Sequence, residues 1–343
     1  MAQFVLCCEE YPVLIGLSAL SFSFRCGFVG RGTPRAIASP LGVDAIITLA
    51  VRAGLHSIEF PLSMLPDLAP SRLSALRERL VACGLTPVLD ADVAEIGTLK
   101  AAIPAAAALG ARVLRVLASP VMEGTRAAFT TDWGAYLAEV ITRLRAVRPL
   151  AEQHDITLAL ENHQDLTSDD LLHIVTEVGG SHIGVTFDPI NALIVAEDPF
   201  TMLHRLAPYV RNVHLADYVA YPSHEGWRLV RCALGEGDLN LRRLLVLLAA
   251  LDPEIGCQIE LVSHSARHVR LFSDAWWHGY PARDIRDLLP VLREFAAPPR
   301  SRDDDWRTPW ERGASAEQIT LYEEQQYAAS LNYLRSLGVI TRH

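Results

Sequence analysis

The sequence predicts a closed (β/α)8 barrel, because short apolar runs alternate with longer amphipathic stretches eight times along the chain. The apolar runs contain many β-branched residues and are typical of strands that are buried on both faces. No break interrupts the alternation, and an unbroken series of this kind favours a closed barrel of parallel strands. We predict the strands at 13–18, 56–60, 85–90, 112–117, 156–161, 182–188, 210–215 and 256–261.

The amphipathic stretches predict the helices that surround the barrel. We place these helices at 41–54, 70–84, 94–110, 131–154, 167–179, 197–209, 239–251 and 282–297. Gly54 and Gly84 end two of them, and the pair Asp198-Pro199 precedes the start of another. The alternative fold is an open doubly wound sheet, which usually has a GxGxxG turn after its first strand. The sequence has no such turn at that point.

Two long connections interrupt the regular alternation. The connection at 19–40 is rich in glycine and aromatic residues, and the connection at 218–238 contains Arg228 and Arg231. Both follow predicted strands, and the loops that follow barrel strands form the substrate-binding end of such barrels. Because long loops in compact domains are uncommon unless they are functional, we expect both connections to contribute to a binding site.

The end of the chain is predicted to extend the barrel. Residues 298–343 begin as a charged linker that contains proline and then return to a helical pattern near 315–337. We therefore predict a catalytic barrel domain at 1–297 and a C-terminal helical extension at 298–343. Three placements of the extension stay open at this point: packing on a neighbouring subunit, covering the mouth of the barrel, or completing its outer ring of helices.

The composition excludes several classes of function. The formal net charge is −9, whereas a nucleic-acid-binding protein needs a clustered basic face. Lys100 is the only lysine and lies in a predicted helix, which argues against Schiff-base catalysis. The six cysteines contain no CxxC pair and indicate reduced thiols. With no signal-peptide pattern at the start and no apolar run of ~18 residues, we predict a cytoplasmic protein that binds neither nucleic acids nor membranes.

The last four predicted strands each end in a side chain that can bind a metal. These residues are Glu161, Asp188, His214 and Glu260. Because the ends of parallel barrel strands meet at one rim, three carboxylates and one imidazole should converge there. Buried carboxylates without a compensating charge are costly, and a divalent cation would remove that cost. Oxygen ligands with one imidazole suit Mn²⁺, Mg²⁺ or Co²⁺, so we predict one metal ion, with Mn²⁺ as the first choice.

The motifs around these residues resemble those of the xylose isomerase-like barrel superfamily, which includes sugar phosphate isomerases and epimerases. They are Glu-Asn-His at 161–163, Asp-x-x-Asn at 188–191, His-Leu-Ala-Asp at 214–217, Gly-Glu-Gly-Asp at 235–238 and Ile-Glu at 259–260. The resemblance implies that the four strand-end residues bind the metal and that Glu161 and Glu260 form the acid/base pair. Ketose 3-epimerases usually have a histidine where this chain has Asn191, and this departure weighs against that particular activity.

Other polar residues are candidates for contacts with a substrate. His163 falls on the same side of its strand as Glu161 if the strand continues, and there it could act as a general base. The alternative is a histidine that only orients a metal ligand. We predict that the substrate is bound by Glu59, Asn191, Asp217 and Arg228. For Glu59, a structural contact with Arg115 is the alternative.

The predicted residues favour chemistry at a carbon next to a carbonyl group. A metal ion would polarise the carbonyl of a keto-sugar or a related polyol substrate, and Glu161, Glu260 or His163 would remove the neighbouring proton to give an enediolate. Reprotonation makes the enzyme an isomerase or epimerase, which is the first prediction. Loss of a leaving group makes it a lyase instead: a dehydratase, a decarboxylase of an oxo-sugar acid, or a subunit of a C-glycoside deglycosidase.

Two other functions are weaker alternatives. A DNA-repair nuclease resembling endonuclease IV would have the same barrel but needs three zinc ions, more histidine ligands and a basic face. A non-catalytic carbohydrate-binding barrel would have no need of all four metal ligands. We expect a small carbohydrate or a carbohydrate-derived molecule as the substrate and a homo-oligomer as the assembly, and the sequence leaves a small partner subunit open.

Overall fold

The computed structural model describes residues 13–296 and 300–341. Its strands are β1 (Leu14–Ser18), β2 (Ser57–Pro61), β3 (Thr86–Val93), β4 (Val113–Leu117), β5 (Thr157–Glu161), β6 (Ile183–Phe187), β7 (Val210–Leu215), β8 (Asp217–Pro222), β9 (Trp227–Cys232), β10 (Gly256–Ile259) and β11 (Arg267–Val269). Strands β1 to β7 and β10 form a closed parallel barrel, because β10 pairs with both β7 and β1. The predicted (β/α)8 barrel is therefore confirmed, with a barrel strand at each of the eight predicted places.

Helices surround the barrel and pack their apolar faces against it. They are α1 (Val43–Ala53), α2 (Pro70–Ala82), α3 (Ile96–Leu109), α4 (Arg126–Phe129), α5 (Trp133–His154), α6 (Ser168–Val178), α7 (Pro189–Ile194), α8 (Pro199–Leu206), α9 (Leu241–Leu251), α10 (Asp274–Trp277), α11 (Ile285–Ala296) and α12 (Ala316–Ser336). In α1, for example, Ile46, Ile47 and Ala50 recur at helical spacing and are buried. Short 3₁₀ turns lie at Ala19–Phe22, Leu62–Met64 and Ala207–Tyr209.

Helix α8 begins as its sequence indicates. The Asp198 side chain accepts a hydrogen bond from the Thr201 N–H at 2.7 Å, and Pro199 occupies the first helical position. Both features satisfy the needs of a helix start, since the first N–H groups have no partner inside the helix. The short helices α4, α7 and α10 were not predicted from the sequence.

A small antiparallel sheet, also not predicted, replaces part of the long connection after β7. Strands β8 and β9 form a hairpin, and β11 pairs with the other edge of β9. The hairpin turn requires Gly226, whose φ is +144° and where an added Cβ would lie 2.1 Å from the Val269 carbonyl oxygen. Strand β8 begins directly after β7 ends, so this sheet lies at the C-terminal end of the barrel. We call it the mouth sheet.

The C-terminal segment packs over loops at the same end of the barrel. Glu323 of α12 accepts hydrogen bonds from the backbone N–H groups of Phe24 and Arg25, at 2.7 and 3.0 Å. Upstream of α12, the Thr308 hydroxyl donates to the His264 carbonyl oxygen at 2.6 Å. The segment thus contacts the loops after β1 and β10. The predicted domain boundary between 297 and 298 lies outside the described residues, so the division into two domains stays a prediction.

None of the helices within the two described ranges combines the length and the apolar character that crossing a bilayer requires.

Candidate active site

Four polar residues at the C-terminal ends of barrel strands lie together in the structure. Glu161 is the last residue of β5, Asp188 follows β6, His214 lies in β7, and Glu260 follows β10. Each is at most 3% exposed to solvent. The Asp188 carboxylate also caps α7, because Ile190 N–H donates to its Oδ1 at 2.7 Å. The strand ends and this cap hold all four side chains in place.

The His214 imidazole lies at the centre of the cluster. Its Nδ1 atom lies 3.6 Å from Glu161 Oε1 and 3.4 Å from Glu260 Oε1. Glu161, Asp188 and His214 each offer one ligand atom, and these three atoms lie within 4.8 Å of one another. The structure therefore brings together the four residues that the sequence nominated as metal ligands. Metal binding itself stays a prediction.

Two buried arginines enter the same cluster. Arg231 Nη2 lies 2.8 Å from Asp188 Oδ2, and its Nη1 lies 3.1 Å from Glu260 Oε2. Arg115 Nε donates to Glu161 Oε2 at 2.6 Å. From the sequence, Arg115 was considered only as a structural partner for Glu59, and Arg231 only as a contact for a substrate oxygen. Their positive charges stabilise carboxylates that we had expected a metal alone to compensate.

Carboxyl groups outnumber cationic groups in the cluster. The cluster contains the guanidiniums of Arg115 and Arg231, the imidazole of His214, and the carboxyl groups of Glu59, Asp90, Glu161, Asp188 and Glu260. Burial raises the pKa of Asp90 and of Glu260. Among the described residues, His214 Nδ1 has no hydrogen-bond partner. A buried nitrogen without a partner, beside several carboxyl oxygens, fits a divalent cation.

Glu59 lies beside His214 in the structure. It is fully buried, and its Oε1 lies 2.9 Å from His214 Nε2 while its Oε2 accepts a hydrogen bond from Asn212 Nδ2 at 2.7 Å. Burial raises the pKa of Glu59, but His214, Arg115 and the hydrogen bond from Asn212 together outweigh burial and lower the pKa overall. In this position Glu59 can orient His214, and its predicted contact with a substrate stays a prediction.

Asp217 is placed away from a substrate. Its two carboxylate oxygens accept backbone N–H groups at distances from 2.8 to 3.2 Å, donated by Tyr218, Gly235, Gly237 and Leu239. Burial raises its pKa to about 6 against these hydrogen bonds. The predicted substrate contact of Asp217 is therefore wrong, because its hydrogen bonds fasten the loop that precedes α9.

Asn191 and Arg228 differ in how close they come to the cluster. Asn191 Nδ2 donates to Glu161 Oε1 at 2.9 Å, so the amide holds Glu161, while its Oδ1 has no partner among the described residues. Arg228 lies on the opposite face of the mouth sheet from Arg231, with its guanidinium 4.4 Å from the ring centre of Trp306. Arg228 therefore lies on the face turned away from the cluster, and its predicted contact with a substrate stays a prediction.

His163 lies near the cluster but outside its core. The β5 strand ends at Glu161, and the His163 side chain is partly exposed with no partner for its Nδ1 atom. Burial lowers the pKa of His163 to about 4. The positive charge of Arg115 also lowers this pKa, whereas the negative charge of Glu161 opposes the shift. The imidazole is therefore neutral near pH 7 and can accept a proton.

The two glutamates beside His214 have opposite pKa shifts. Burial would raise the pKa of Glu161, but Arg115 and His214 lower it well below its usual range. Burial raises the pKa of Glu260, and the attraction of His214 and Arg231 only partly offsets that effect. Glu161 is thus held ionised, whereas Glu260 binds a proton more readily than a free glutamate, an arrangement that suits one carboxylate to accept a proton and the other to donate one.

Comparison with known proteins adds a family and several relatives. The family described as Xylose isomerase-like TIM barrel matches residues 47–295. A relative named 3-oxo-isoapionate decarboxylase, from Pectobacterium atrosepticum, is 26% identical over 272 residues, which cover 76% of this chain and 91% of the relative.

Two solved structures have the same fold. One is D-psicose 3-epimerase with D-tagatose, from Clostridium cellulolyticum H10; its TM-score is 0.62 at 12% identity, over 96% of this chain and all of that one. The other is a xylose isomerase-like TIM barrel protein from Mycobacterium smegmatis in complex with magnesium. Its TM-score is 0.54 at 18% identity, over 82% of this chain and 98% of that one.

Proposed function

The chain belongs to the xylose isomerase-like TIM barrel family, and we propose on that basis that it is a divalent-metal-dependent enzyme acting on an oxo-sugar through an enediolate. One observation carries the proposal: among the residues that the structure describes, His214 Nδ1 has no hydrogen-bond partner, and it faces two buried carboxylates at 3.4 and 3.6 Å. The proposed ligands are Glu161, Asp188, His214 and Glu260. Their oxygen-rich set suits Mn²⁺, and the magnesium in the Mycobacterium smegmatis relative supports a hard cation.

The residues of the chain would hold the substrate and move one proton. A bound cation would polarise the substrate carbonyl and stabilise negative charge on its oxygen. Glu161, kept ionised by Arg115 and held by Asn191, is the proposed base. Glu260, whose pKa is raised mainly by burial, is the proposed acid. His163 is a second candidate base at the edge of the cluster.

Among the possible outcomes we propose decarboxylation of an oxo-sugar acid. In this reaction the bond between the carboxylate and its neighbouring carbon breaks, carbon dioxide leaves, and the electron pair enters the enediolate. Glu260 then donates a proton to that carbon and regains one from water, so no oxidant or reductant is needed. The support is the decarboxylase from Pectobacterium atrosepticum, 91% of whose length aligns with this chain.

An epimerase is the second candidate, and one observation favours it. Glu161 and Glu260 come from different strands and lie at similar distances, 3.6 and 3.4 Å, from the His214 Nδ1 atom. Two carboxylates placed in this way could remove a proton from one face of a carbon and return it to the other. The isomerase or epimerase that the sequence put first therefore stays open as an alternative to the lyase.

The test measures carbon dioxide and deuterium in the same reaction. Protein loaded with Mn²⁺ is incubated in D₂O with 3-oxo-isoapionate, and separately with D-tagatose and D-psicose. Metal-dependent release of carbon dioxide, with one deuterium in the product, is the expected result. Deuterium entering a ketose without loss of carbon dioxide would replace the lyase by the epimerase. Failure to bind Mn²⁺, Mg²⁺ or Co²⁺ would overturn the metal-dependent mechanism.

Glu260→Gln is the variant that tests the proton donor. We expect it to lose turnover while unfolding at the temperature of the wild type. Glu197→Gln is the matched control, because Glu197 is also largely buried but bonds Ser168 N–H away from the cluster, at 3.2 Å. Full activity of the Glu260 variant would remove this residue from the mechanism.

A further inference from the structure

The mouth sheet directs two arginines to the same side. Arg267 in β11 lies opposite Leu229 in β9, and side chains of opposed residues in antiparallel strands share a face. Leu229 and Arg231 are two residues apart in β9, so they also share that face. Arg231 reaches Asp188 and Glu260 from it. The face that presents Arg267 is therefore the face turned toward the metal-ligand cluster.

Arg267 differs from Arg231 in having no acidic partner. Its Nη1 donates only to the Ser265 hydroxyl, at 2.5 Å, and to the Ala266 carbonyl, at 3.4 Å. Within the described part of the chain, no carboxylate oxygen approaches its guanidinium to within ion-pair distance, whereas Arg231 pairs with two. The Arg267 side chain is partly exposed, so a ligand in the mouth can reach it.

The surroundings of Arg267 leave its charge uncompensated. Burial lowers the pKa of Arg267, and the positive charge of Arg231 lowers it further. The neighbouring glutamates raise the pKa by less than these two effects lower it. Burial has the largest effect on His264, and together with the charges of the same two guanidiniums it lowers the pKa of His264 to about 3. The Nδ1 atoms of His163 and His264 also have no partner. A desolvated cation beside unpaired nitrogens is an environment that an anion stabilises.

The segment that presents Arg267 is held on both sides. Ala266 N–H donates to Glu311 Oε1 at 3.1 Å, and the His264 carbonyl accepts the Thr308 hydroxyl. Pairing of β11 with β9 fixes the other side. The guanidinium is therefore positioned before any ligand arrives, which lowers the entropy lost on binding.

We propose that Arg267 binds the carboxylate group of the substrate and thereby selects sugar acids over neutral sugars. The inference rests on the proposed function and names the residue that would make the site specific for an acid. A guanidinium is suited to this task because its parallel N–H groups match the two oxygens of a carboxylate. Because the carboxylate loses its negative charge as carbon dioxide forms, Arg267 binds the substrate more tightly than the transition state, so it lowers KM and does not raise kcat.

The experiment measures binding without turnover, so it does not depend on the reaction being right. Calorimetry compares a four-carbon aldonate with the alditol of the same length, each titrated into Mn²⁺-loaded protein. We expect Arg267→Gln to weaken aldonate binding about tenfold or more and to leave alditol binding unchanged. Arg267→Lys keeps the charge, so its aldonate affinity should lie between those of the wild type and of Arg267→Gln. It also keeps the test decisive if the glutamine variant is unstable.

Arg270→Gln is the matched control, because Arg270 lies three residues further along and already pairs with Glu123 at 3.1 Å. We expect its aldonate affinity to equal that of the wild type. Equal aldonate affinity in Arg267→Gln and the wild type would overturn the proposal, because Arg267 would then have no part in binding the carboxylate. If Arg267→Gln behaves as expected but no carbon dioxide is released, the carboxylate site stands and the decarboxylase assignment falls.

Discussion

We predict that the contact between Glu59 and His214 increases the affinity of the cluster for a metal ion. Glu59 Oε1 lies 2.9 Å from His214 Nε2, on the side of the ring away from Glu161 and Glu260. A carboxylate in this position fixes the ring and raises the basicity of the other nitrogen. We therefore expect Glu59→Gln and Glu59→Ala to weaken metal binding, although Glu59 would not touch the ion.

The magnitude follows from what each variant removes. Loss of a partner behind a metal-binding histidine typically costs 10- to 100-fold in affinity, or about 1.4 to 2.7 kcal/mol. Glutamine keeps a hydrogen-bond acceptor for Nε2 and loses the negative charge, so we expect about tenfold. Alanine removes the acceptor and also leaves the Asn212 amide, now bonded to Glu59 at 2.7 Å, without its partner. We expect about 100-fold for alanine.

The assay is calorimetric titration of Mn²⁺ into metal-free protein, with thermal unfolding measured in parallel. Thr186→Val is the control, because Thr186 is fully buried and its hydroxyl has no hydrogen-bond partner. Replacing that hydroxyl with a methyl group should leave metal affinity unchanged. Wild-type Mn²⁺ affinity in a folded Glu59→Ala protein would refute the reasoning, because His214 would then need no support from Glu59.

Two further predictions concern other buried groups. Burial raises the pKa of Asp165 to about 7, although a hydrogen bond from Ser119 opposes this shift. The folded protein therefore binds the Asp165 proton more tightly than the unfolded chain, whose Asp pKa is ~4. The stability gained from this proton is complete below pH ~4 and is lost as the pH rises through 7. Compared with Asp165→Asn, the wild type should lose up to ~4 kcal/mol of unfolding free energy between pH 4 and 8 in urea titrations; parallel curves would contradict this. His163→Ala should lower kcat ~100-fold or more if His163 is the base, whereas a change confined to Mn²⁺ affinity would make it an orienting residue.

The barrel could be predicted from the sequence because its signal repeats along the chain. Each buried strand is a short apolar run, and eight such runs separated by amphipathic stretches leave little choice of fold. The mouth sheet was missed although a signal was present. Residues 227–232 contain Trp227 and Val230, which favour strands, and Gly226 precedes them, a position typical of a hairpin turn.

The candidate site was predictable only in part. Position at a strand end was enough to bring Glu161, Asp188, His214 and Glu260 together, because the barrel geometry fixes where strand ends meet. The partners of those residues were not predictable in this way. Whether Asp217 faces a substrate or four backbone N–H groups depends on how the loop before α9 folds back, and strand position carries no information about that.

Hydrogen bonds inside the barrel explain why His214 would bind a metal through Nδ1. Ser57 donates to Gln258 at 3.0 Å, Gln258 donates to Asn212 at 3.4 Å, and Asn212 donates to Glu59. Glu59 lies on the Nε2 side of the imidazole, so a His214 that binds a metal would present the lone pair of Nδ1 to it. There the nearest carboxylate oxygens lie 3.4 and 3.6 Å away, beyond an ordinary hydrogen bond. Within the described residues, the polar interior thus leaves the Nδ1 side of the ring to a cation.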